Sequence, residues 1–101
     1  MNETTKDSIK RIALHIHNLE AATKWYLSSF NCEIKWQTKT KALLAFENIE
    51  LLLLLPSQGL PHLSFEKDNA ETFGELFLQE DDSRSCSVSD PSGNIVQLIK
   101  A

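Results

Sequence analysis

The stretch RIALHIHNLEAATKWY, residues 11–26, decides the fold. Ile12, Leu14 and Ile16 alternate with Arg11, Ala13, His15 and His17. A period of two marks a strand with one buried face. At Asn18 the alternation stops. Its side-chain oxygen suits a helix N-cap, and Leu19, Ala22, Trp25, Tyr26 and Phe30 follow at helical spacing. The stretch therefore predicts a strand over residues 9–17 and then a capped helix. The helix would cover Ile12, Leu14 and Ile16 and leave Arg11, Ala13, His15 and His17 on a free face.

The pattern then returns. HLSFEKDNAETFGELF, residues 62–77, lies on the same template at a constant offset of 51. Asn69 falls on Asn18 and Glu71 on Glu20; Ala70, Phe73, Leu76 and Phe77 fall on Leu19, Ala22, Trp25 and Tyr26. Two strand–cap–helix units with matched apolar positions point to internal repetition. In the second unit Leu63 and Phe65 would be covered, with His62, Ser64 and Glu66 free. Residues 32–38 alternate again, with Ile34 and Trp36 on one face that would meet a helix; Trp36 reads as core first and as a ligand platform second. Residues 41–46 and 49–55 form the arms of a hairpin turning at Glu47-Asn48. QEDDS (79–83) reads as an acidic loop, and residues 84–89 and 94–100 as a hairpin around Asp90-Pro91-Ser92-Gly93. Glu50 lies 39 positions after Arg11 in the first copy and Gln97 lies 35 after His62 in the second, so one strand of the second is expected to be clipped or missing. The expectation is an α+β fold of paired βαβββ modules in a single domain, 1–101. Module one covers 9–55, a linker 56–61, and a shortened module two 62–100.

Composition excludes several classes. A net charge of −4 with scattered basic residues argues against nucleic acid, which needs a clustered basic surface. KWQTKTK (35–41) reads as a solvated hairpin. The opening residues MNETTKDS hold no apolar signal core, and the five leucines of ELLLLLP fall far short of the roughly 20 apolar residues that span a bilayer. Cys32 and Cys86 form no CxxC pair and read as free thiols in a reducing, cytoplasmic setting.

Four segments, RIALHIHNLEAATKWY, IELLLLLP, PHLSFEKDN and DPSGNIVQLI, resemble in this order the vicinal oxygen chelate superfamily of glyoxalase I, bleomycin-resistance proteins, fosfomycin-resistance enzymes and extradiol dioxygenases. The resemblance implies a divalent cation (zinc, nickel, manganese or iron) held by four strand positions. These map onto Arg11, Glu50, His62 and Gln97, where the family commonly has His or Gln, Glu, His, and Glu. Glu50 and His62 match. Arg11 departs: it has no lone pair and repels a cation. It could instead pair with Glu50 in place of the metal, bind a ligand carboxylate or phosphate through its planar fork, or reach solvent at the strand end. Gln97 is a weak neutral ligand. His15 lies four residues along the strand, about 13 Å away. It cannot replace a ligand at position 11, but it could touch the far end of a bound molecule; a half-exposed strand histidine is the plainer reading.

Leu52 and Leu54 share the parity of Glu50 and would face the cup between the free sheet faces; Leu51, Leu53 and Leu55 would meet a helix or a partner chain. Three functions stay open. One is a cup with a degenerate metal site that binds a small organic molecule, anions included, through Arg11, His15, Leu52 and Leu54. Another is a metal-dependent lyase, isomerase or dioxygenase, with Glu50, His62 and Gln97 as ligands and Glu50 the catalytic candidate. The third is a non-catalytic dimerisation module. Whether the chain is an enzyme is left open. The clipped second module and the leucine-rich surface favour a homodimer, with no nucleic-acid or membrane partner.

Overall fold

A computed structural model describes residues 6–79 and 81–101. The alternating stretch forms β1 (Ile9–His15), and the helical stretch α1 (Leu19–Ser29). Asn18 ends the strand: its Oδ1 accepts the Ala21 N–H at 2.9 Å and occupies a donor that the first helical turn leaves open. Then come β2 (Glu33–Gln37), β3 (Lys41–Ala45) and β4 (Glu50–Leu54), with β3 and β4 a hairpin closed by Phe46 N–H to Ile49 O at 3.0 Å. The second half holds β5 (His62–Lys67), β6 (Phe77–Leu78), β7 (Arg84–Ser89) and β8 (Ile95–Lys100). The β7–β8 turn forms because Asp90 Oδ1 accepts the N–H groups of Ser92 and Asn94, both at 2.9 Å, while Gly93 takes φ +89°. That left-handed conformation is strained for any residue with a Cβ.

All eight strands join one mixed sheet in the order β2-β3-β4-β1-β5-β8-β7-β6. β1 runs parallel to β4 and β5 parallel to β8, while β1 and β5 pair antiparallel at the centre. The architecture is that of paired βαβββ modules with the second one shortened.

Helix α1 covers one face of the first half. Leu19, Ala42, Leu44 and Leu53 are buried there, joined by Ile16, Ala22, Tyr26 and Phe46. Each fully buried leucine stabilises the fold by roughly 1.5–3 kcal/mol. On the opposite face Ala13, Leu43, Leu52 and Leu54 form a second buried cluster with Trp36 against it.

Three expectations need correction. The second helix does not form: Ala70–Thr72 is a single 3-10 turn, and Asn69 makes no side-chain cap. Between the end of β5 and the start of β6 there is too little chain for a stable helix, and Gly74 weakens helix further. The shortening therefore falls on the helix as well as on a strand: β6 is clipped to two residues rather than missing. Next, Ile34 and Trp36 do not share a face. A bulge between them sets Ile34 opposite Leu44 and Trp36 opposite Leu43, so Trp36 faces away from α1. Finally, Leu14 lies on the α1 side of β1 but is 38% exposed.

The connection from β4 to β5 has to clear the end of β1, which lies between them in the sheet. It turns through the short 3-10 segment Pro56–Gln58 and through Gly59 at φ +147°. Two histidines hold this strap. His15 Nε2 lies 2.5 Å from the Gly59 carbonyl, and His62 Nδ1 lies 2.8 Å from that of Leu60.

Candidate ligand-binding site

Strand register aligns four polar side chains in one row across the middle of the sheet. Arg11 pairs with Glu50 on one side and with Ser64 on the other, and Ser64 pairs with Gln97. The row has two chemically different ends.

The first end is ionic. Arg11 donates from Nε and Nη2 to Glu50 Oε1 at 3.2 and 3.0 Å, and Lys35 Nζ donates to Oε2 at 2.5 Å. The side chains of Arg11 and Glu50 are 13% and 10% exposed, that of Lys35 53%. Lys35 reaches Glu50 because it is the extra residue of the β2 bulge. Burial alone would raise the Glu50 carboxyl, but the Lys35 and Arg11 hydrogen bonds and charges outweigh it and hold the group below its ordinary value.

The second end is neutral. Ser64 Oγ donates to Gln97 Oε1 at 2.6 Å, and Gln97 Nε2 donates to Ser85 Oγ at 3.1 Å. Ser64 and Ser85 are buried, and these bonds satisfy them.

Above the row lies a cavity of about 510 Å³. Trp36, Leu52 and Leu54 line it from the first half, and His62, Gln97 and Ile99 from the second. In a flat sheet β2 and β8 would stand about 24 Å apart, five strand spacings. Sharing one cavity requires the sheet to curl into a cup. Gln58 and Gly59 of the strap, and Gln79, Asp81 and Ser83 of the β6–β7 loop, border it as well. Ser83 donates to Asp81 Oδ1 from its hydroxyl at 2.6 Å and from its N–H at 3.1 Å. The hydroxyl bond is the largest influence lowering the Asp81 carboxyl; burial opposes it, and the Arg11 charge adds a smaller push in the same direction.

Among the residues expected to form the site, Arg11, Leu52, Leu54, His62 and Gln97 line this cavity. Glu50 does not: it borders a second hollow of about 610 Å³, so the Arg11–Glu50 pair forms a partition between the two. His15 is outside the lining and is engaged by the strap. A carbonyl only accepts, so the bond to Leu60 fixes the proton of neutral His62 on Nδ1 and leaves the Nε2 lone pair free. Lys35, Ser64, Ser85 and Asp81 are participants that sequence reasoning missed. The repeat offset equates Arg11 with His62, whereas the sheet pairs Arg11 with Ser64 and places His62 opposite Ala13.

Solved structures share this architecture. A glyoxalase/bleomycin resistance protein/dioxygenase superfamily member from Vibrio splendidus aligns with a TM-score of 0.71 over 93% of this chain and 98% of its own, at 9% identity. The chain has the vicinal oxygen chelate fold. A hypothetical protein of Bacillus halodurans reaches 0.71 at 10% identity, covering 94% of each chain. Methylmalonyl-CoA epimerase from Mycobacterium tuberculosis reaches 0.66 at 14% identity, covering 98% of this chain and 91% of its own. No family model matches the sequence, and no curated protein matches it.

The donors that the resemblance assigns to a divalent cation do not fit one here. Both Glu50 oxygens are taken by side-chain cations, Gln97 Oε1 accepts from Ser64, and His62 stands two residue pairs away from the row, opposite Ala13. Among the described residues no group of three His, Cys, Asp or Glu could hold a metal ion. None of the described helices is long and apolar enough to cross a membrane.

Proposed function

We propose that the cup holds a small organic molecule with an apolar body and an acceptor oxygen, without the help of a metal. The observation that carries this reading is a cavity of about 510 Å³ with an aliphatic and aromatic wall above a guanidinium floor. Trp36, Leu52, Leu54 and Ile99 would take the body of the ligand. A guanidinium carries five N–H groups, and Glu50 takes two from Arg11. The remaining three would meet a carboxylate or carbonyl oxygen. The Nε2 lone pair of His62 adds one acceptor on the facing wall.

Ligand-observed NMR and calorimetry with benzoate, phenylpyruvate and benzamide test it. Saturable binding of at least one carboxylate is expected. Arg11→Gln should weaken it by about tenfold or more, the equivalent of one hydrogen-bonded charge. Leu54→Arg, which fills the cavity, should abolish it. Folded wild type that binds none of the three would refute the reading.

The same reading takes 9–55 and 62–100 as the two modules of one cytoplasmic domain working as a homodimer. Leu14, Leu63 and Phe73 support self-association, since they are exposed on the side of the sheet opposite the cup, beyond the cover of α1. Light scattering across a dilution series should report twice the chain mass; a monomer throughout would remove that part.

A further inference from the structure

We infer that Arg11 and Lys35 together stand in for a divalent cation in the partition beneath the cup, and that Lys35, reaching Glu50 from the side of the second hollow, is what shuts it to metals. Their two unit charges equal that of a divalent ion, and they divide the carboxylate between them. Arg11 covers Oε1 and Lys35 covers Oε2. The backbone places both donors, although the Lys35 side chain is half-exposed. Arg11 is held in register beside Glu50 by the parallel β1–β4 pairing. Lys35 arrives through the bulge that breaks the alternation of β2 between Ile34 and Trp36. On the other half of the row, Ser64 closes Gln97 in the same manner: the buried hydroxyl occupies the amide oxygen that a cation would need.

A cation built from side chains differs from a metal in two respects. It does not exchange, so chelators have nothing to remove. It also offers N–H donors in a fixed plane rather than an open coordination position, and so selects an oxygen by direction. That consequence for ligand choice rests on the function proposed above; the metal titration that tests the lock does not.

The experiment is Zn²⁺ calorimetry on chelator-stripped wild type, Arg11→His, and Arg11→His/Lys35→Gln, each checked for folding by circular dichroism. Wild type and the single variant should show no saturable Zn²⁺ binding, because Lys35 still neutralises Glu50. The double variant frees both carboxylate oxygens beside an introduced imidazole and should bind Zn²⁺ saturably, at least about tenfold more tightly than any residual binding by the single. If the double variant is unfolded without metal, recovery of its ellipticity on adding Zn²⁺ supports the inference. Equal affinity in the single and double variants would overturn it, as would a double variant, folded or unfolded, that gains nothing from Zn²⁺. Failure of the organic panel would leave these titrations standing, so the two proposals fall separately.

Discussion

The two halves of the sheet share a strand plan and differ in what completes it. β1 parallel to β4 is answered by β5 parallel to β8, yet the first half carries an eleven-residue helix and the second a three-residue turn. The first half closes its part of the central row with three charges, the second with three neutral groups. Repetition was kept where backbone pairing demands it and lost where only packing and side-chain chemistry were at stake. Even without the helix, Ala70 and Leu98 remain buried, because the turn folds onto Cys86.

The largest effect should come from breaking the ionic end. Glu50→Gln strands two cations, one of them mostly buried, and should destabilise the protein by about 3 kcal/mol. Ser64→Ala, at the matching place in the neutral end, leaves one amide oxygen unpaired and should cost about 1 kcal/mol. Denaturant unfolding of both variants checks the contrast; equal losses would erase it.

Acid should then remove the difference. The Glu50 carboxyl is held below its ordinary value of about 4.5 in the folded state, so the unfolded chain binds the proton more readily. Its stabilisation is complete above about pH 4.5 and is lost as pH falls through the depressed folded value. The stability gap between wild type and Glu50→Gln should therefore be constant near neutrality and shrink below that point. A gap that widens in acid would contradict the ion triad.

A smaller effect compares the two asparagines that the repeat equates. Asn18→Ala removes a cap that bonds the Ala21 N–H and should cost about 1 kcal/mol. Asn69→Ala removes no cap and should change stability by at most a few tenths. A comparable loss at Asn69 would show that the turn is capped as the helix is.

Much of the fold was readable in one dimension because its signals are local. The alternation in β1, the cap at Asn18 and the Asp90–Gly93 turn each depend on neighbours within a few residues. The second helix was misread because its apolar positions match α1 while the chain available to it does not; Phe77 and Leu78 belong to β6 instead. At the site, Leu52 and Leu54 follow from the parity of Glu50. Lys35 could not be found that way, because a bulge leaves no mark in composition and reverses the parity of everything beyond it. Ser64 was hidden for a related reason: aligned sequence copies compare positions along the chain, whereas pairing between β1 and β5 compares positions across it.

The strap between β4 and β5 has a consequence for how the chain could assemble. Residues 55–61 are enough to stretch more than 20 Å, yet they cross only two strand spacings, about 10 Å. The excess is taken up by one tight turn and by two imidazole contacts at the carbonyls of Gly59 and Leu60. Release of those contacts would turn the slack into a hinge, across which the β5–β8 half of one copy could swing onto the β1 edge of another. Domain exchange of that kind would preserve every strand pairing and trade only the identity of the chain supplying it.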